Sequence, residues 1–173
     1  MTLPYRLFIL NFAGVCFLIW CWWCGYIQQI TLADEHHMWA YIGGLFLLGV
    51  ASTFRLAIKL ETARRSSDGM TIRKRSISAK SLLIRGEHLG VIASVLFILG
   101  IIGNAIGIRA GFGHITADAL GSVDGVRGIF AQFLSGSVTT FGSTIIGGSL
   151  SIWTMCNAQM LWTETALFEL DCS

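Results

Sequence analysis

The distribution of charge constrains this chain more than any other feature of its sequence. Four long apolar stretches contain no Asp or Glu, and nine of the twelve Lys and Arg residues lie in one segment, from Arg55 to Arg85. Only 13% of the residues are charged and 54% are hydrophobic, whereas about 25% of the residues of an average soluble protein are charged. The sequence therefore predicts an integral membrane protein and excludes most functions of soluble proteins.

The apolar stretches are long enough to cross a bilayer as helices. A membrane helix needs roughly 20 apolar residues, because each residue adds about 1.5 Å across a hydrocarbon core of about 30 Å. The predicted spans are residues 7–27, 39–58, 89–108 and 129–153. The last span is rich in Gly, Ser and Thr, so we expect it to face protein rather than lipid. We predict an all-α fold, with four membrane helices in a single domain that comprises residues 1–173.

The basic residues also predict how the helices are oriented. Lys and Arg near the ends of spans stay in the cytoplasm, so the basic loop, residues 59–88, is expected inside, together with both termini. A multi-pass protein of the inner (cytoplasmic) membrane fits this pattern. We expect the loop to meet anionic membrane lipids and not nucleic acid. The loop has two equally good interpretations, a basic amphipathic helix lying on lipid and an irregular solvated linker.

Two clusters of potentially reactive side chains are better explained without a redox or a metal site. Cys21 and Cys24 have C-x-x-C spacing, but they lie in a membrane helix, where a buried thiol behaves as a small apolar residue. A membrane thiol redox enzyme would depend on these two residues alone. His36 and His37 are adjacent, and adjacent helical side chains point about 100° apart, so they do not converge on one ion. We therefore predict no enzyme activity, no catalytic residue, no metal and no cofactor.

The third and fourth spans combine small residues with polar ones. Small residues recur at helical spacing in both: Gly100, Gly103 and Gly107 in the third, and Gly136, Thr140, Thr144, Gly147 and Gly148 in the fourth. Such residues let backbones approach closely in lipid, where van der Waals contact and interhelical hydrogen bonds replace the hydrophobic force. Close packing alone explains the glycines. Asn104 and the hydroxyl groups lie at mid-membrane depth, where they need partners or water.

Two segments of these spans follow a known pattern. Residues 100–107 read Gly-Ile-Ile-Gly-Asn-Ala-Ile-Gly, and residues 136–147 begin with Gly and end in Thr-Ile-Ile-Gly. They resemble two pore helices of the MotA/TolQ/ExbB family of proton-channel subunits, which carry Gly-apolar-apolar-Gly-Thr-Val-x-Gly and Gly-Ile-x-x-Ala-Leu-x-x-Thr-x-x-Gly-Leu. The resemblance extends over about residues 87–160, with Asn104 at the family threonine. The proline near the inner end of the family's last helix is absent, and the cytoplasmic loop is far shorter.

The resemblance implies a ring-forming subunit of a proton- or sodium-driven membrane channel or motor. In that family the subunits form a homo-oligomeric ring, usually a pentamer, around a single-span partner whose intramembrane Asp carries the ion. It assigns Asn104, Thr140 and Thr144 to the ion path and the glycines named above to helix packing. No predicted span contains an acidic residue, so the carboxylate has to come from the partner. The alternative is a non-transporting tetraspan scaffold or assembly factor, in which the small residues only pack helices.

Overall fold

The computed structural model describes residues 2–33, 37–66, 72–112 and 121–170, and within these ranges it leaves out the side chains at 29, 30, 32, 33, 72–79, 110, 111, 132 and 135–140. All regular secondary structure in the described residues is helical, which confirms the all-α prediction. The described residues form five helices: α1 (Leu3–Trp23), α2 (Tyr26–Ala33), α3 (Met38–Ser66), α4 (Ile72–Phe112) and α5 (Val123–Leu170).

The number of membrane helices differs from the prediction. Among the described residues, three helices are long and apolar enough to cross a membrane, namely α1, α3 and the Lys80–Arg109 part of α4. The structure therefore supports a membrane protein with three such helices, not four. The fourth predicted span, residues 129–153, lies inside α5. Gly, Ser and Thr dilute its apolar residues, and the side chains of its central part lie outside the described residues, so this span stays a prediction.

The helices extend well past the predicted spans. α3 continues to Ser66 and α4 begins at Ile72, so most of the predicted loop 59–88 is helical, and an irregular linker is the wrong interpretation for residues 72–88. Glu87 and His88, which directly precede the third predicted span, lie inside α4. Each helix bonds its own backbone internally, so it does not have to end where the apolar sequence ends.

The first predicted span, residues 7–27, is not one continuous helix. α1 ends at Trp23, where the Cys24 N–H donates to the carbonyl oxygen of Trp20 at 3.0 Å. Gly25 follows with φ 82°, a conformation that glycine adopts at little steric cost, and α2 begins at Tyr26. Cys24 therefore lies just beyond the end of α1 rather than inside a helix. Of the two adjacent histidines, His36 lies outside the described residues, and His37 directly precedes α3.

α4 and α5 form the most extensive helix pair, and α1 and α3 pack against it. The buried apolar residues form two clusters, one that includes Leu7, Leu60, Leu89 and Leu161, and one that includes Ile42, Phe46, Leu96 and Leu150. Large apolar side chains also cover the outside of the bundle: Trp23 is 88% exposed and Phe141 is 63% exposed. A soluble monomer rarely exposes contiguous apolar surface on this scale, whereas a helix in lipid does so by necessity.

Ion pairs join three helices at one end of the bundle. Glu164 of α5 contacts Arg6 of α1 at 2.8 Å and Arg64 of α3 at 3.1 Å, and Arg64 also lies 5.8 Å from the centre of the Phe168 ring. We call this the basic end. The start of α1, the end of α3 and the end of α5 therefore lie together.

Candidate functional site between α4 and α5

α4 and α5 approach each other closely where two glycines meet. A Cβ atom built on Gly147 would lie 2.7 Å from the Cα of Gly100 and 2.8 Å from the carbonyl oxygen of Leu96. A Cβ atom built on Gly100 would lie 3.2 Å from the Cα of Gly147. Because the neighbouring atoms belong to backbone, they cannot move aside as a flexible side chain would. Glycine at both positions is what permits this helix contact.

Hydroxyl groups of α5 cross the same contact. Ser143 is buried, and its Oγ donates to the carbonyl oxygen of Gly100 at 3.4 Å. Thr144 Oγ1 donates to that same carbonyl at 3.3 Å. Gly103 makes room for Ser143, since a Cβ atom there would lie 2.7 Å from Ser143 Oγ. Further along, Ser151 Oγ donates to the carbonyl oxygen of Ala93 at 2.7 Å. Interhelical hydrogen bonds of this kind average about 0.6 kcal/mol in membranes.

Asn104 differs from these hydroxyls because part of its amide has no partner. It lies one helical turn beyond Gly100, and its Oδ1 atom is buried without a hydrogen-bond donor among the described residues. A buried polar atom left unpaired costs about 1–3 kcal/mol. A donor from another molecule at this position would recover that free energy.

Apart from Asn104, the predicted site residues differ in where they lie. Gly100, Gly103, Thr144 and Gly147 meet at the α4–α5 contact, and Gly107 is buried further along α4. A Cβ atom built on Gly148 would have nothing within 4 Å, so Gly148 takes no part in this contact. The remaining two positions lie where side chains are not described: Gly136 and Thr140.

A second polar cluster lies between α1 and α5. The Asn11 Nδ2 group donates to Asn157 Oδ1 at 2.9 Å, and Asn157 Nδ2 donates to Asn11 Oδ1 at 3.2 Å. Trp153 Nε1 also donates to Asn11 Oδ1, at 3.1 Å. Asn11 is not among the residues predicted to matter. The available signal is that it is the one strongly polar residue in the first apolar span, and such residues usually face the bundle interior.

Two tryptophans of α5 pack into spaces left by glycines. The Trp153 ring lies against Gly14 of α1, with its ring centre 5.0 Å from that of Phe46 on α3. The Trp162 ring lies over Gly86 of α4, where a Cβ atom would be 3.0 Å from Nε1. These contacts, together with the asparagine pair, hold α1, α3 and α4 in fixed positions around α5.

Comparisons with protein-family models, curated proteins and solved structures found no match to this chain. A relationship to the MotA/TolQ/ExbB family therefore stays a prediction that depends on the short motifs in residues 87–160.

Proposed function

We propose that this chain is a ring-forming subunit of a proton- or sodium-driven membrane channel or motor of MotA/TolQ/ExbB type. The observation that carries the proposal is Asn104. Its amide oxygen is buried without a hydrogen-bond donor among the described residues, and Asn104 occupies the position that matches the family threonine, in a span without acidic residues. An intramembrane polar group is a candidate functional residue by default, because its burial is costly.

In this proposal the chain lines the path and the partner carries the ion. The partner's Asp, on its single membrane helix, is the group that binds and releases the proton, while Asn104, Thr140 and Thr144 supply the polar surface that it faces. An amide oxygen accepts a hydrogen bond from a protonated carboxyl group or from water. A hydroxyl both donates and accepts, so the bond from Thr144 to Gly100 is compatible with this role.

Exposed apolar residues on the α4–α5 pair support assembly with further copies. Ile101 and Ile102 of α4 and Ile145 of α5 are 44–60% exposed in the single chain, and contacts between neighbours in a ring would cover part of this surface. Closure of such head-to-tail contacts gives a cyclic oligomer, here a homopentamer by the family resemblance. The first two predicted spans, whose Trp20 is 58% exposed, then face lipid.

The proposal includes a topology in the cytoplasmic membrane. The basic end faces the cytoplasm, with both termini and the segment between α3 and α4. A single accessible cysteine at position 70 should react with a membrane-impermeant thiol reagent only after the membrane is permeabilised. Reaction in intact cells would overturn this topology.

The mass of the purified assembly tests the ring. The chain weighs 18.9 kDa, so light scattering on detergent-solubilised protein should give about five chains per particle, after subtraction of the detergent. Reconstituted rings with a single-span partner that has an intramembrane Asp should conduct protons or sodium, and a partner with Asn in place of that Asp should not. A monomeric particle, or no flux from a complete assembly, would exclude the proposal.

One set of contacts favours a second function, a non-transporting scaffold or assembly factor. Ser143, Thr144 and Ser151 all donate to carbonyl groups of α4 within the same chain, so packing alone accounts for the hydroxyls. A scaffold of this kind predicts a monomeric particle and an unchanged phenotype when Asn104 is replaced by Leu. The ring proposal predicts the opposite result in both measurements.

A further inference from the structure

Four basic side chains lie along the outer side of the groove between α3 and α4, near the basic end. They are Arg55 and Lys59 on α3 and Arg85 and His88 on α4, and all four are exposed. Ser52 Oγ and His88 Nε2 form a hydrogen bond of 2.6 Å across the groove. This contact fixes how the two helices are aligned.

The alignment brings the two arginines to the same depth. The helices are antiparallel, since Gly49 lies against Ile92 and Ser52 against His88. Arg55 is three residues beyond Ser52 toward the basic end, and Arg85 is three residues before His88 in the same direction. At about 1.5 Å per residue, each lies about 4.5 Å from the level of the Ser52–His88 bond.

Arg55, Lys59 and Arg85, the charged residues of the groove, differ in their electrostatic environment from several other arginines. Among the residues that the structure describes, four arginines have carboxylate partners: Arg6 and Arg64 with Glu164, Arg65 with Glu61, and Arg127 with Asp124. Arg55, Lys59 and Arg85 have no carboxylate within 4.0 Å among the described residues. The groove therefore concentrates positive charge that this part of the chain does not neutralise.

Apolar surface continues from the cations toward the middle of the bundle. Leu48, one turn from Ser52, is 66% exposed, and Val91, one turn from His88, is 62% exposed. A ligand that follows this groove meets cationic groups at one end and aliphatic side chains at the other. That order of polarity matches a phospholipid and does not match a free phosphate ion or a soluble anion.

We infer that the α3–α4 groove binds one anionic phospholipid, with its phosphate group at Arg55 and Arg85 and an acyl chain along Leu48 and Val91. Guanidinium groups bind phosphate oxygens through paired N–H donors, and basic pockets between membrane helices are sites for anionic headgroups. The Ser52–His88 bond holds the two walls of the groove together. This inference does not depend on the proposed ring.

Native mass spectrometry of the full-length protein, released from nanodiscs that contain phosphatidylcholine and phosphatidylglycerol, tests the site. Wild-type protein should retain phosphatidylglycerol preferentially. The double variant Arg55→Gln/Arg85→Gln should retain it roughly tenfold less, since each basic residue near the membrane surface contributes on the order of a fewfold to binding. The matched double variant Arg109→Gln/Arg127→Gln, which removes two charges far from the groove, should behave as wild type.

Single substitutions keep the test decisive if the double variant fails to insert. Lys59→Gln should reduce phosphatidylglycerol retention, whereas Arg65→Gln should not, because Arg65 is exposed at the same end of the bundle but lies about 120° around α3 from Lys59, where it pairs with Glu61. The site is excluded if wild-type protein shows no preference for phosphatidylglycerol. It is also excluded if Lys59→Gln and Arg65→Gln reduce retention equally, because that result would indicate general attraction to an anionic surface.

Discussion

Asn157 of α5 and Asn11 of α1 exchange hydrogen bonds through their side-chain amides, at 2.9 and 3.2 Å. Asn157 is fully buried, and the second Asn11 N–H···O contact is to the carbonyl oxygen of Leu7 at 2.8 Å. The reciprocal pair satisfies polar groups that would otherwise be costly in an apolar interior. It therefore specifies how α1 docks on α5, in addition to the contribution of the surrounding leucines.

Replacing Asn157 by Ala should destabilise the fold by about 1 kcal/mol, because it leaves part of the Asn11 amide unpaired. Combined with Asn11→Ala, the loss should be smaller than the sum of the two single losses. Thermal unfolding in detergent gives all three values. Gln159→Ala, at an exposed position of α5, is the control and should leave stability unchanged. Strict additivity of the Asn11 and Asn157 variants would show that the two amides do not cooperate.

Gly147 and its neighbour Gly148 provide a matched pair for the α4–α5 contact. Gly147→Ala should destabilise the bundle by about 1–3 kcal/mol through overpacking, since its Cβ would approach backbone atoms of Gly100 to 2.7 Å. Gly148→Ala should cost nothing, because the space around it is open. The thermal midpoints of the two variants in detergent make the comparison. Equal midpoints would show that α4 and α5 can move apart at no cost in thermal stability.

The periodicity of small residues predicted part of this site. Spacing along a helix determines which residues share a face, and Gly100, Gly103 and Gly147 do meet at one contact. Spacing does not determine which partner a side chain finds. Thr144 bonds to a carbonyl on the neighbouring helix, whereas Thr154, also on α5, bonds to its own helix at Leu150.

Helix ends were harder to predict than helix positions. Hydropathy marks where the chain leaves an apolar environment, but a helix continues wherever its backbone bonds and side-chain contacts support it. α3 therefore continues to Ser66, where Glu61 and Arg65 form an i,i+4 pair at 3.5 Å. The partners of Glu164, Arg6 and Arg64, are 158 and 100 residues away in the sequence. No local pattern in the sequence indicates contacts over such separations.

Glu164→Gln should destabilise the contacts between helices at the basic end of the bundle. The carboxylate is 17% exposed and pairs with two arginines on two helices, so its neutralisation should cost about 1 kcal/mol at low salt. The difference from wild type should shrink as ionic strength rises, because salt screens exposed ion pairs. Thermal unfolding at low and high salt measures both effects. Glu87→Gln is the control, since Glu87 is exposed and forms no ion pair with a described residue. A loss of thermal stability that does not change with salt would indicate lost packing rather than a lost ion pair.

Substitutions at Thr144 distinguish a role in an ion path from simple helix packing. Its hydroxyl donates to the carbonyl oxygen of Gly100 at 3.3 Å, and loss of an interhelical hydrogen bond costs only about 0.6 kcal/mol on average. Thr144→Val, which keeps the shape of the side chain, should therefore leave assembly nearly intact. If the hydroxyl serves ion transfer, the same change should abolish proton flux in vesicles that also contain the partner, while Thr144→Ser should retain it.

The control is Thr154→Val, which removes a buried hydroxyl that bonds within its own helix at 2.8 Å and should leave proton flux unchanged. Full flux through a correctly assembled Thr144→Val ring would reduce Thr144 to a packing residue and leave Asn104 as the main support for a channel.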